Sequence, residues 1–442
     1  LLGSVAVVGG GALGLAAALR LAEAGVRVTV IEQEPALGGL ASGFEPAPSL
    51  PTTLEKFYHH IFRTDRVAIR YVNELGLADR LIWDRPVTAT LRNGRVYPMT
   101  PTGILKFDAI PLPDRIRLVG ALAALKLAPN ERPFARQTAA GWTQRWAGRG
   151  AYDALLGPLL TGKFGTRAPE IAMSWLWSRF HERSLSLGYL RGGFQQLYDR
   201  LSERLQALGG QICLGTRAMS VRTAGANISL ETDQKSLEFD RVLMTVPQRA
   251  LIRIAPDLAA ECERFPGPDF YSAHVLILAL DRPLTNQYWI NIADPDYPFL
   301  VLVEHTNFMP AGDYGGQHLV YLGNYLPPNA ALFSQTDGEI LDGFLPVLRR
   351  FNPSFDRSWL TSHWIFQAPY AQPIVTEGYL DKLPPHHTSI PGVYFATMAH
   401  VYPQDRGQNY SLALGERMAA MMLDDEAKGR DWPAANAAKP GE

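Results

Sequence analysis

The chain has 442 residues, 47% of them apolar and 19% charged, with a formal charge of −1. That length exceeds one simple core and predicts two or three domains, while near-neutrality offers no basis for a nucleic-acid surface. Two cysteines, Cys213 and Cys262, give neither a disulfide framework nor a metal-ligand spacing, so no metal is expected. The poverty of cysteine suits a reducing, cytoplasmic compartment, and a chain opening directly on a strand is expected to carry no signal peptide.

The first element is an apolar strand, Val5–Val8, running into Gly9-x-Gly11-x-x-Gly14. A helix follows, and a second strand, Val26–Ile31, ends on Glu32. Each part has a mechanical reason. Gly9 permits the tight turn, Gly11 lets the backbone approach a pyrophosphate, and Gly14 seats the helix close to the sheet. The helix N-terminus, with the amides of Ala12 and Leu13, faces the phosphates. Glu32 is placed to accept from ribose hydroxyls, and its charge argues against the 2′-phosphate of NADP. The element order predicts an α/β, Rossmann-type dinucleotide domain.

Immediately downstream comes Gln33-Glu34-Pro35-Ala36-Leu37-Gly38-Gly39-Leu40-Ala41. A second glycine pair after the ribose acid suits a loop lying along the rest of an extended cofactor, although an ordinary turn would need the same residues. This block resembles the FAD-binding N-terminus of the flavin amine oxidase superfamily, which includes protoporphyrinogen oxidase, phytoene desaturase and, more distantly, UDP-galactopyranose mutase. The resemblance implies FAD and an amine oxidase-like two-domain architecture, with a discontinuous α+β substrate domain. Segments 1–84, 185–267 and 379–426 would form the FAD domain. Segments 85–184 and 268–378 would form the substrate domain, and 427–442 a flexible tail.

Next comes Tyr58-His59-His60-Ile61-Phe62-Arg63-Thr64-Asp65. Adjacent histidines in an extended segment point to opposite sides, so at most one is expected beside a flavin. His60-Ile61-Phe62 looks like the His-Ile-Phe element of UDP-galactopyranose mutases, which implies that Tyr58, His59 and His60 border the cofactor. A structural role for the histidines is the alternative. An amphipathic helix over Val67–Gly76 and a hairpin around Asn93-Gly94 follow.

Residues 101–184 read as mostly helical, rich in Leu, Ala and Trp. The run Leu118–Leu125, flanked by Arg115, Arg117 and Lys126, is too short to span a bilayer. It reads either as a buried helix or as a surface helix dipping into a membrane to collect a lipid-soluble substrate. Lys163 between Gly162 and Phe164 is odd in an apolar stretch unless its ammonium has a partner. A place in the pocket is one expectation; a surface position or backbone carbonyls are the others.

A helix over Gln195–Leu208, strands at 211–214, 218–222, 228–232 and 236–239, and Arg241–Val246 closed by Pro247 resemble the second FAD segment of the same superfamily. That resemblance puts Ala218 against the adenine and the strand through Thr245 and Pro247 beneath the cofactor. From 268 to 375, alternating strands dense in aromatics, including Tyr288, Trp289, Tyr297, Phe299, Tyr325 and Trp364, predict a sheet roofing a substrate pocket; an aromatic core is the alternative. Finally, Pro391–Ser411, carrying Tyr402, Asp405, Gln408 and Asn409, resembles the C-terminal FAD motif. It implies Asp405, Gln408 and Asn409 at ribitol and pyrimidine, a helix N-terminus aimed at the flavin N1–C2=O edge, and non-covalent FAD, since the loop has no cysteine.

These expectations combine into an FAD-dependent oxidoreductase acting on an apolar or ring-bearing small molecule, with His60, Lys163 and Tyr402 as catalytic candidates. The alternative is a mutase-like, non-redox flavoenzyme acting on a sugar nucleotide; no paired arginines for a diphosphate stand out in the sequence. Peripheral membrane contact at the inner face is the expected partner interaction beyond substrate. Oligomeric state and electron acceptor stay open.

Overall fold

The computed structural model describes residues 2–47, 50, 52–134 and 136–429. A five-stranded parallel sheet runs Gln211–Cys213, Arg27–Ile31, Ser4–Val8, Arg241–Met244, Val393–Phe395. Strands drawn from four distant parts of the chain meet here because each is apolar on both faces, as a covered parallel sheet requires. Val5 and Val7 face the helices Ala12–Glu23 and Gln408–Ala427. Ala6 and Val8 face a small antiparallel sheet, Ala218–Ala224, Asn227–Thr232 and Ser236–Phe239. The two helices cross without side chains between them: a Cβ on Gly415 would lie 2.3 Å from the carbonyl oxygen of Leu13.

A seven-stranded mixed sheet stands opposite, centred on Phe270–Leu280, which pairs antiparallel with His318–Leu326 and Leu360–Pro373. Val275, Ile277 and Ala279 face the nucleotide domain, while Leu276, Leu278 and Leu280 face an outer layer built on Asp337–Phe344. The early hairpin Thr88–Arg92/Arg95–Pro98 extends this sheet through a parallel pairing with Trp289–Ile292. Its turn has both Asn93 (φ 51) and Gly94 (φ 70) left-handed, as the twist of a two-residue hairpin demands. The expected aromatic roof is only partly one: Tyr297 and Phe299 lie on the outer face, with Phe299 packed against Phe344 and Phe351. Both lie in the loop ahead of the strand Val301–Glu304 and pack into the outer layer.

The third region is helical: Leu112–Leu127, Ala139–Trp146, Gly157–Phe164 and Met173–His181 share a core with Phe107, Trp142 and Trp175. Among the described residues no helix is long and apolar enough to cross a membrane. Most of the tail expected over 427–442 falls outside the described residues.

Candidate active site

The floor of the site is backbone. Gly9 has φ 117, and a Cβ there would meet Thr245 Oγ1 at 2.3 Å. A Cβ on Gly14 would sit 2.0 Å from Gly9 O, so helix and loop touch directly. Gly11 differs: nothing lies within 4 Å of where its Cβ would be, which leaves open ground above the loop. No side chain caps the helix behind it. Ala12 and Leu13 turn their side chains into the core, so their amides are what they offer the open side.

Glu32 is buried and held by two amides, Gly10 N at 2.6 Å and Glu34 N at 2.8 Å. The second glycine pair lies over the first: Gly38 N donates to Gly10 O at 2.9 Å, and Gly38 (φ 109) and Gly39 (φ 58) lead into the turn Gly39–Ala41. Leu40 is half-buried, Ala41 is buried, and Gln33 is exposed beside Glu34. Beneath the loop, the Thr245 hydroxyl donates to Val8 O at 2.9 Å. Its side chain therefore braces the fingerprint turn rather than reaching above it. Pro247 starts the helix Gln248–Ile254, and Ala218 is buried where the small antiparallel sheet begins.

The far end of the cleft is built by Gln408–Ala427, whose N-cap, Gly407, offers no capping side chain. Gln408 Oε1 accepts from Tyr198 OH at 2.6 Å, while its buried Nε2 has no partner. The Asn409 side chain is engaged away from the helix terminus. Its Oδ1 accepts from Val67 N (3.0 Å) and Ala68 N (3.1 Å), capping the helix Arg66–Glu74; only its backbone amide stays with the helix terminus.

His59 and His60 lie between two short strands, Leu54–Glu55 and Ile61–Phe62. His59 Nδ1 contacts Phe57 O; His60 Nδ1 lies 3.4 Å from Tyr58 OH, with its ring edge-on to Phe62 and Trp289. Burial pushes His59 down to about 4 and His60 to about 3. Arg406 adds to the first shift, and Arg183, then His59 and Arg179, to the second, as expected of rings on opposite sides of one extended segment. Both are neutral near pH 7.

Beside His60 the chain gathers four cations. Lys163 Nζ lies 3.2 Å from Asp405 Oδ2, Arg179 contacts the same oxygen, and Trp175 Nε1 donates to Asp405 Oδ1 at 3.0 Å. Arg406 donates to Gln372 Oε1 at 3.0 Å and rests over the Tyr325 ring at 4.8 Å. Arg183 rests over Phe62 at 5.4 Å. The expected roles therefore change. Lys163 is neither a surface residue nor bound to carbonyls, and the Asp405 side chain holds cations. Tyr402 turns toward the helical bundle, donating to Ser174 Oγ at 2.8 Å and stacking on Tyr379.

Burial would raise Asp405, but Lys163, Arg179 and Arg406 hold it well below the usual carboxylate range. Lys163 is pushed well below the ordinary lysine value, by burial first and then by Arg179. Lys163, the one amine of the cluster, is the member best placed to give up a proton. The arginine pair missed in the sequence is Arg179, on Met173–His181, and Arg183, just past its end; their closeness in the chain was the available signal.

A sequence model of the flavin-containing amine oxidoreductases matches residues 14–404. The chain belongs to that family. Family membership brings a flavin, and three features fit one: the open ground over Gly11, the unpartnered Gln408 Nε2 and the uncapped terminus at Gly407. Among curated relatives, the chain is similar to the carotenoid phi-ring synthase of Streptomyces griseus, 46% identical over 129 residues. That match spans 29% of this chain and 23% of the synthase. Among solved structures, it shares its fold with a provisionally named protoporphyrinogen oxidase from Exiguobacterium sp. 255-15, at TM-score 0.75 and 17% identity over 96% and 99% of the two chains. Reduced UDP-galactopyranose mutase gives TM-score 0.72 at 16% identity, over 96% of each chain. At such identities these two neighbours show the fold alone.

Proposed function

We propose that this family member is an oxidoreductase holding FAD non-covalently and moving a hydride between a substrate carbon and flavin N5. The observation that supports it most is Gly11, the one fingerprint glycine whose open side faces no protein atom. FAD, when bound, supplies the hydride-accepting ring. Glu32 would take the ribose hydroxyls, the amides of Gly11, Ala12 and Leu13 the pyrophosphate, and the loop Gly38–Ala41 with Gln33 the adjoining stretch. Ala218 would border the adenine. Gln408 Nε2 and the amides of Gln408 and Asn409 would donate to the pyrimidine edge, favouring negative charge there. His60, neutral and edge-on to Trp289, would position substrate without adding charge. The test is direct: purified protein should be yellow and release FAD on denaturation. His60→Ala should keep the FAD while changing its potential or turnover; an unchanged potential and rate would reduce His60 to a structural residue.

The substrate proposed is apolar or ring-bearing and collected at a membrane face. Helix Leu112–Leu127 buries Leu118, Ala121 and Leu125 and leaves Leu112 (59%), Ile116 (62%) and Leu127 (81%) exposed. Around it, residues 101–153 carry eight basic and four acidic side chains, a net +4 in a chain of −1. An apolar stripe rimmed by cations suits the surface of an anionic bilayer. Ile116→Glu with Leu127→Glu should abolish cosedimentation with phosphatidylglycerol vesicles while flavin content holds; equal binding by both proteins counts against the membrane site.

A mutase-like, non-redox reading is favoured by one observation, the convergence of Arg179 and Arg183. Saturable shifts of the dithionite-reduced flavin spectrum by UDP-sugars would support it over hydride transfer.

A further inference from the structure

The family takes its name from amines, yet the cluster beside His60 has the wrong sign for an ammonium group. Lys163, Arg179, Arg183 and Arg406 come together from three segments, and among the described residues the carboxylate in contact with them is Asp405. Asp65, also within electrostatic reach of Arg183, accepts from Phe62 N at 2.8 Å, and burial lifts it to about 6. It can offset only part of the excess.

Arg183 is the decisive member. Among the described residues its guanidinium has no hydrogen-bond or ion-pair partner; Arg406 donates only to neutral groups, Gln372 and Tyr325. Arg183 is exposed, yet the protein around it pushes its pKa down to about 9, with Arg179 adding to the shift and Asp405 opposing it. The two coexist where a side chain lines an internal cleft: protein surrounds it, and one side is open. Its backbone is fixed from outside, where Lys126 Nζ donates to the carbonyls of His181 (2.6 Å) and Arg183 (2.8 Å). A forked donor held in a cleft without an acceptor is a site for planar or tetrahedral oxygen anions.

We propose that Arg183, with Arg179 and Arg406, seats a multiply charged oxyanion carried by the substrate, a diphosphate or a pair of carboxylates. Lys163 and Asp405 position the arginines, and Trp175 and Tyr325 wall the seat. The proposal rests on the flavin reading for its place beside the redox ring. It turns the substrate into an amphiphile: an apolar body toward Trp289 and Tyr58, an acid head toward Arg183.

The test is calorimetric titration of flavin-loaded protein with sodium pyrophosphate, with tricarballylate and, as a cationic control, with putrescine. Saturable, salt-sensitive binding of pyrophosphate alone supports a phosphorylated head; binding of tricarballylate, alone or as well, supports carboxylates. Arg183→Met should weaken that binding roughly ten-fold or more, the effect of removing one charge-assisted hydrogen bond. Arg183→Lys should recover part of it, with flavin absorbance unchanged in both variants. Arg183 partners no protein group among the described residues, so the variants should fold. No saturable anion binding at millimolar concentration, equal affinity in Arg183→Met, or preference for putrescine would each overturn the proposal. A colourless protein whose pyrophosphate binding is lost in Arg183→Met would instead remove the flavin reading and leave the anion seat standing.

Discussion

The two walls of the cleft are made differently. The nucleotide wall is backbone: glycines that bring peptide groups close, helix amides, one carboxylate fixed by Gly10 and Glu34. The opposite wall is side chain: two histidines, a tryptophan and an uneven group of charges held around Asp405. Backbone geometry tolerates almost no substitution but adds little charge. Side-chain geometry tolerates substitution and sets the local field. The first wall offers peptide groups to a ligand, and the second sets the charge that the ligand meets.

The largest test of that division is Gly11→Asp. Its Cβ meets no atom, so the fold should survive, while an acid over the pyrophosphate position should remove all flavin. Full flavin content, measured from the visible absorbance of the isoalloxazine, would break the assignment of the backbone wall. Second in size is Asp405→Asn, which leaves Lys163 and Arg179 unopposed; thermal unfolding should show a loss of roughly 3 kcal/mol, smaller in high salt. An unchanged midpoint would mean that the cations are solvated rather than held.

A third expectation concerns pH. Glu55 accepts from Tyr189 OH and Phe194 N, both at 2.6 Å, and burial raises it from 4.5 to about 7. A raised acid stabilises fully below its unfolded value and loses that contribution as pH climbs through 7. The protein should thus lose up to ~3 kcal/mol on going from pH 4.5 to well above 7 through this group. Glu55→Gln, which does not ionise, should flatten that slope in pH-dependent melts; the same slope in wild type and variant would show that other groups set it. The smallest effect is Asn409→Ala, in which removal of the cap costs about 1 kcal/mol with flavin retained. Loss of flavin in that variant would return the Asn409 side chain to the cofactor.

Legibility from sequence follows the same division. Strand, Gly9-x-Gly11-x-x-Gly14, helix and Glu32 are contiguous, and each glycine answers a local steric need, so the backbone wall could be read almost entirely. The pair Gly38-Gly39 was ambiguous between turn and loop; the structure makes it both, because the turn docks on Gly10. The charged wall could not be read in the same way. Lys163 and Asp405 are 242 positions apart, and nothing in either neighbourhood announces the other. Thr245 and Asn409 illustrate a subtler difficulty: polar residues beside a ligand site also brace backbone, and only coordinates tell which groups they reach. Aromatic density misled for Tyr297 and Phe299, which sit in the loop before Val301–Glu304 and turn to the outer layer.

The bare crossing of Leu13 over Gly415 carries a consequence for biosynthesis. The helix Ala12–Glu23 leaves the ribosome long before the helix Gln408–Ala427 that crosses it. Neither surface can close against the other until both exist. Closure of the cleft therefore waits for the second helix, and a nascent chain halted before Gly407 would own a glycine turn with nothing to shut it.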